Sequence, residues 1–180
     1  MQNKRRLPTH ITLKMYQRNA IPDEMLATIR PLWKELVAYE VGLVLQEKTL
    51  EALHKLAKER ASDDVFMNSN WLSCVNSIDW LYVLMQYGTA VGFMVVEGGA
   101  VNSLYIKEDL RGRGIGTFLL HNHLEIFNTP LKLKVSKINT PAVNVYRGAG
   151  FITTDEDQVY YTMQYQFVKP VERLVELLST

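Results

Sequence analysis

Arg111-Gly112-Arg113-Gly114-Ile115-Gly116 stands between a run that reads as a strand, ending at Ile106, and a run that reads as a helix, beginning near Gly114. A helix start leaves its first backbone N–H groups without intrahelical partners, and the helix dipole adds positive potential there. Glycines let a bulky anion reach the backbone and allow positive φ angles. Arg111 and Arg113 add charge at the same point. The stretch, from Arg111 through Thr117, therefore reads as an anion site whose natural guest is a pyrophosphate. Two common nucleotide signatures fail on specific positions. Thr117 stands where the dinucleotide fingerprint, counted from Gly112 and Gly114, needs a third glycine, and Lys134, Ser136 and Lys137 stand where an acidic ribose reader belongs. The Gly-Lys-Ser/Thr of the nucleoside-triphosphate loop is absent. Taken alone, the three glycines are also compatible with a plain flexible turn.

Working outward, the chain before the turn is a meander. Residues 79–87, 90–97 and 101–106 are rich in aliphatic and aromatic side chains, with Gly88-Thr89 and Gly98-Gly99 as the tight turns between them. After the turn, residues 114–127 read as a helix. In 131–136, Leu131, Leu133 and Val135 alternate with Lys132, Lys134 and Ser136, the pattern of a strand. Thr140-Pro141 opens another helix, with Thr140 as the cap and Pro141 in the first turn. Ala142, Val145, Tyr146 and Ala149 share one face of it, and Gly150 closes it at positive φ. Strands follow at 151–153 and 159–167. An amphipathic helix after Pro170 carries Val171, Leu174, Val175 and Leu178, and it docks on its own domain or contributes to a homodimer.

Upstream, residues 11–17 alternate as a strand. A helix begins near Pro22-Asp23-Glu24; Pro31 is expected to break it or to start a second segment from Leu32 to about Tyr39. A further helix runs from Thr49 with Leu50, Leu53, Leu56 and Ala57 on one face. Residues 61–77 interleave Asp, Ser and Asn with Phe66, Met67 and Trp71 and read as a connector, its large side chains either lining a substrate pocket or pinning the loop to the core. The order is that of a mixed α/β or α+β fold, one domain over residues 1–180 around a sheet of about seven strands. There is no internal repeat or low-complexity linker.

Composition fits this. The chain has 180 residues, 47% hydrophobic and 22% charged, with a net charge of +1. Such a balance is that of an ordinary globular protein and gives no global argument for nucleic acid or for an anionic membrane. No apolar stretch approaches the roughly 18 residues needed for a membrane span. The single cysteine, Cys74, excludes an internal disulfide and suits a reducing, cytoplasmic setting; it reads as a packed, inert thiol.

Arg111-x-x-Gly114-x-Gly116, after the strand Ser103-Leu104-Tyr105-Ile106, resembles the acetyl-CoA-binding motif of the GNAT superfamily of N-acetyltransferases. Asn139-x-x-Ala142-x-x-x-Tyr146-x-x-x-Gly150-Phe151 resembles its second motif, in the family's order. The resemblance implies acetyl-CoA as co-substrate, without a metal, in a cleft where two parallel strands splay. It implies that the backbone of Leu104, Tyr105 and Ile106 pairs with pantetheine. Arg111, Gly112, Arg113, Gly114, Ile115, Gly116 and Thr117 hold pyrophosphate, and Asn139 touches the pantetheine arm. Tyr146 is the implied general acid, a role that leaves room for its ring to pack in the core. The acceptor is then a small-molecule or peptide amine.

An alkylamine, with a pKa near about 10.4, needs a base before it attacks. Many members of the family carry a Glu on the strand leading to the turn, where this chain has Val101-Asn102-Ser103. Glu97, on the adjacent strand, is the candidate; Glu108 and Asp109 beside the turn read as solvated. His121 and His123 are two apart on a helix and do not share a face, so they cannot hold one metal; His123 reads as packed. Two functions stay open: an N-acetyltransferase, or a GNAT-fold module that binds CoA without catalysis. A nucleotide-dependent oxidoreductase is disfavoured by Thr117.

Overall fold

A computed structural model describes residues 7–46 and 64–167 of the chain. The helix expected from Thr49 and the one after Pro170 lie outside the described residues. The elements run β1 (Ile11–Gln17), α1 (Asp23–Gln46), α2 (Asp64–Ser77), β2 (Trp80–Gln86), β3 (Thr89–Glu97), β4 (Ala100–Ile106), α3 (Ile115–Phe127), β5 (Lys132–Ser136), α4 (Thr140–Gly148), β6 (Phe151–Glu156) and β7 (Tyr160–Tyr165). The strands form one seven-stranded sheet in the order β1-β2-β3-β4-β5-β7-β6. Only β4 and β5 are parallel; every other neighbouring pair is antiparallel.

The sheet is covered on both faces, which is why its central strands are apolar almost throughout. On one face Tyr82, Leu84, Met94 and Val96 pack with Leu119, Leu120 and Leu124 of α3 and Val143 of α4. On the other Leu81, Val83, Phe93 and Val95 pack with Ile29, Leu32, Trp33 and Leu36 of α1 and Trp71 of α2.

Two helical expectations are corrected. Pro31 does not interrupt α1, which continues to Gln46. A proline inside a helix costs about 3 kcal/mol. Met25, Ile29, Leu32, Trp33 and Leu36, on both sides of it, are all buried, at roughly 1.5–3 kcal/mol each, and that outweighs the break. Residues 64–77 are a helix and not a connector. Their Asn and Ser residues are weak helix formers, but Trp71 is buried against Trp33, ring centroids 5.5 Å apart, and this contact holds the segment in place. Trp71 therefore pins α2 to the core.

The β2–β3 turn is shifted by one residue from the expected Gly88-Thr89. Tyr87 and Gly88 are its centre, both at positive φ, and the Tyr87 ring lies over His10. Gly98 and Gly99 turn β3 into β4 as expected, again both at positive φ. No helix among the described residues is long and apolar enough to cross a membrane.

Candidate active site

The parallel pairing of β4 with β5 is short. It comprises Ala100 with Lys132 and Val101 with Leu133, and then stops. On its other side β4 bulges: Val96 faces Val101 and Val95 faces Ser103, which leaves Asn102 as the extra residue. A bulge bends its strand and increases the local twist, and here the bend falls where β4 leaves β5. Beyond it, the β5-facing edge of Leu104, Tyr105 and Ile106 has no ladder partner among the described residues.

The Gly-rich turn stands at the open end of this gap. Gly112 has φ +72°, and Gly114, the residue before α3, has φ +76° and no side-chain cap. The first helical bond runs from Phe118 N to Gly114 O at 2.9 Å, so the N–H groups of Ile115, Gly116 and Thr117 precede the ladder and are open to an anion. The side chains of Ile115 and Thr117 are buried and fix the helix start. Gly116 is ordinary helix; a Cβ there would meet Val145 Cγ1 at 3.5 Å and Leu104 Cδ2 at 3.8 Å, one from each wall of the gap.

The two arginines are turned back on the protein. Arg111 Nε donates to the carbonyl of Ile106 at 2.9 Å, and its guanidinium lies 4.8 Å from the ring centre of Tyr39 and 5.5 Å from that of Tyr105. Arg113 donates to the carbonyl of Asp109 at 2.9 Å. Tyr105 in turn donates its hydroxyl to Glu35 at 2.7 Å; burial, and then this carboxylate, push the phenol up to about 12. Glu108 and Asp109 lie exposed in a short 3-10 turn.

On the far wall Asn139, and not Thr140, caps α4: its Oδ1 accepts from Ala142 N at 3.3 Å. Asn has the better side-chain geometry for this position, and the cap moves one residue upstream. The same oxygen accepts from the Tyr39 hydroxyl at 3.5 Å. Tyr146 projects from α4 into the core and packs against Phe151, ring centroids 6.0 Å apart. Its hydroxyl has no hydrogen-bond partner among the described residues. Burial first, and then the charge of Glu40, raise its pKa above the usual phenol value.

Beside the bulge, α1, α2 and the ends of β3 and β4 line a solvent-open pocket of about 490 Å³. Trp33, Glu40, Cys74, Glu97, Asn102 and Ser103 are among its walls. Met67, Asn70, Ser73 and Ser77 line it too, so with Cys74 α2 supplies five wall residues beside the core anchor Trp71. Glu97 accepts from Asn102 Nδ2 at 3.0 Å. Glu40 has no hydrogen bond among the described residues. Glu40 is an exposed residue, and partial desolvation of its carboxyl raises its pKa.

The sequence model of the acetyltransferase (GNAT) family matches residues 50–151. The chain belongs to this family. Among curated relatives it is 38% identical over 80 residues to the peptidyl-lysine N-acetyltransferase YjaB of Salmonella typhimurium, over 44% of this chain and 54% of that protein. The chain thus spans about half the length of the curated relatives it matches. The apo-form solution structure of YjaB from Escherichia coli superposes with a TM-score of 0.54 at 20% identity, over 88% of this chain and 99% of that one. A PaiA N-acetyltransferase from Thermoplasma acidophilum, solved with coenzyme A, gives 0.59 at 19%, over 87% of this chain and 99% of that one. At these identities the likeness is one of fold.

Within this GNAT fold the two histidines are structural. His123 is buried, 4.6 Å from the ring centre of Phe127, with its Nδ1 2.7 Å from the Tyr82 hydroxyl. Burial lowers its pKa, so the ring is neutral and the Tyr82 hydroxyl donates to Nδ1. His121 Nε2 lies 2.9 Å from the carbonyl of Ala149 and ties α3 to the end of α4. Among the described residues no group of three metal-ligating side chains forms a site. Sequence reading missed Tyr39, Glu35 and Glu40. All three sit on α1, far along the chain from the turn, and only the packing of α1 across the sheet brings them to the cleft.

Proposed function

We propose that this GNAT chain is an N-acetyltransferase that moves the acetyl group of acetyl-CoA to a primary amine by direct attack on the thioester. The observation that carries the reading is the break in the β4–β5 ladder beside an uncapped helix start. The unpaired edge of Leu104, Tyr105 and Ile106 offers hydrogen bonds to an amide-bearing arm, and the N–H groups of residues 115–117 suit a pyrophosphate. Both parts of CoA thus find backbone partners that the fold leaves free. In this reading Arg111, Gly112, Arg113 and Gly114 shape the pyrophosphate turn, and Asn139 borders the pantetheine arm. Relatives named as peptidyl-lysine acetyltransferases make the amine of a lysine side chain or of a small molecule the natural acceptor. The lone Cys74 suits a cytoplasmic setting.

The chemistry needs charge stabilisation and two proton movements. Backbone N–H groups on the open edge of β4 stabilise the carbonyl oxygen as it gains charge. The sulfur leaves as CoA and takes a proton from the Tyr146 hydroxyl. That phenol is protonated at every physiological pH, because burial raises its pKa.

Acetyl-CoA binding by calorimetry, followed by thiol release over a panel of amines, tests the reading. Binding with turnover is expected, and Tyr146→Phe is expected to lower kcat with CoA affinity nearly intact. Binding without turnover on any amine would favour the CoA-binding module, a reading supported by Asn102 standing where the family often has Glu. Absence of binding would remove both.

A further inference from the structure

The ladder that joins β4 to β5 ends at Val101 and Leu133. Past that point the sheet no longer sets the distance between the two walls of the gap. Tyr39 of α1 touches both walls. Its ring lies 4.8 Å from the guanidinium of Arg111, whose Nε is tied to Ile106 at the end of β4. Its hydroxyl lies 3.5 Å from Asn139 Oδ1, at the start of α4. One turn earlier, on the same face of α1, Glu35 accepts from the Tyr105 hydroxyl at 2.7 Å. The near wall is thus held to α1 at Tyr105 and Arg111, and Tyr39 carries the connection on to the far wall.

These contacts fix the Asn139 amide. The Ala142 N–H can only donate, so the atom it meets at 3.3 Å is the amide oxygen. The Tyr39 hydroxyl donates to the same oxygen. Both lone pairs of Oδ1 are then used, and the two N–H donors of Nδ2 are what Asn139 has left for a ligand. An amide held by its helix cap alone keeps freedom about its broad terminal torsion. A second bond from another helix takes that freedom away, and freedom removed before binding raises affinity.

We propose that Tyr39 is a positioning residue for the arm of CoA: it acts through Asn139, whose Nδ2 donors it presents to an amide carbonyl of the arm as this enters the β4–β5 gap. This rests on the CoA site of the reading above, and on neither the acceptor nor the proton transfers. Tyr39 itself moves no proton. Its ring packs on Arg111, which keeps the hydroxyl within reach of Oδ1, so the pose of the amide is tied to the Gly-rich turn. Arg111, Tyr39 and Asn139 then form one connected set, from the turn that suits the pyrophosphate to the wall that borders the arm.

The test is calorimetry with CoA on the full chain, comparing wild type, Tyr39→Phe, Asn139→Asp and the double variant. Tyr39→Phe keeps the ring on Arg111 and loses the hydroxyl. Asn139→Asp keeps an oxygen for Ala142 N–H and for Tyr39, and loses the Nδ2 donors. Tyr39→Phe is expected to weaken CoA binding about fivefold, the size of a modest hydrogen bond, with kcat at saturating acetyl-CoA within about twofold of wild type. Asn139→Asp is expected to weaken binding as well. In that background Tyr39→Phe is expected to change Kd by less than about twofold, because no amide donor is left to orient. A merely structural loss would recur in both backgrounds. Wild-type affinity in Tyr39→Phe or in Asn139→Asp, or the same fivefold loss in both backgrounds, overturns the assignment and leaves the acetyltransferase reading standing. A wild type that does not bind CoA removes both readings.

Discussion

Arg111 Nε donates to the carbonyl oxygen of Ile106 at 2.9 Å, while the same guanidinium lies over the ring of Tyr39. One side chain thus ties the last residue of β4 to the start of the Gly-rich turn and to α1. The charge of Arg111 is spent on this brace and is not aimed at an anion from an open position. Arg111→Lys keeps the charge and loses the planar stack and the Nε donor. It is expected to weaken acetyl-CoA binding about tenfold, or about 1.4 kcal/mol, nearly as much as Arg111→Ala. Calorimetric affinities decide it: a Lys variant with wild-type affinity would make Arg111 a simple phosphate charge.

The glycines of the turn divide by conformation. Gly114 has φ +76°, where a Cβ costs about 1–2 kcal/mol. Gly114→Ala is expected to lower Tm by about 2–8 °C in a chain of this size. Gly116 is helical, and its Cβ would make ordinary contacts with Val145 and Leu104. Gly116→Ala is expected to leave Tm unchanged or raise it, since Ala exceeds Gly in helix propensity by about 1 kcal/mol. Equal losses in a thermal melt would show that the helix start is misassigned.

Tyr82 and His123 form a buried pair whose stability depends on pH. The folded pKa of His123 is lowered by burial, so below the unfolded value of about 6.5 the unfolded chain binds more protons. The stability that neutral His123 supports is full above that value and is lost as pH falls toward the lower folded pKa. Urea midpoints are expected to drop between about pH 7.5 and pH 5.5, and His123→Gln should flatten that drop. Tyr82→Phe leaves Nδ1 buried without a donor and is expected to cost about 1–3 kcal/mol. A drop unchanged in His123→Gln would assign it to other groups.

What the sequence discloses follows from how local each feature is. The meander β2–β4 is legible because apolar runs end at Gly-containing turns, and the anion site because strand, glycines and helix are contiguous. The asparagine cap of α4 lies one residue before Thr140, which carries a similar capping signal. At Pro31 and across the Asn/Ser-rich α2, local propensity points away from helix. The contacts that override it, Ile29 and Leu32 on the sheet and Trp33 on Trp71, join segments distant in the chain. The cavity behind the Asn102 bulge is non-local in the same way: it needs Glu40 from α1, Cys74 from α2 and Glu97 from β3. A bulge has no strong sequence signature, so Asn102 read as a missing base and not as the residue that bends β4.

Cys74 gives independent access to that cavity. Burial, and then the charge of Glu97, push its thiol up to about 11. Relative to an ordinary cysteine near about 8.5, the thiolate is scarcer at neutral pH, but its higher intrinsic nucleophilicity offsets part of the loss. A small methylthiolating reagent is expected to react about 20–30-fold more slowly than with a free thiol, with a rate that rises with pH until about 11. Once attached, the methylthio group occupies space between α1 and α2 beside Glu97. The labelled protein is then expected to show a raised KM for the amine with an unchanged Kd for acetyl-CoA, because the β4–β5 gap is a separate wall of the site. Cys74→Ser, treated identically, should keep wild-type kinetics. Full labelling by mass spectrometry with an unchanged amine KM would show that the acceptor enters by another route.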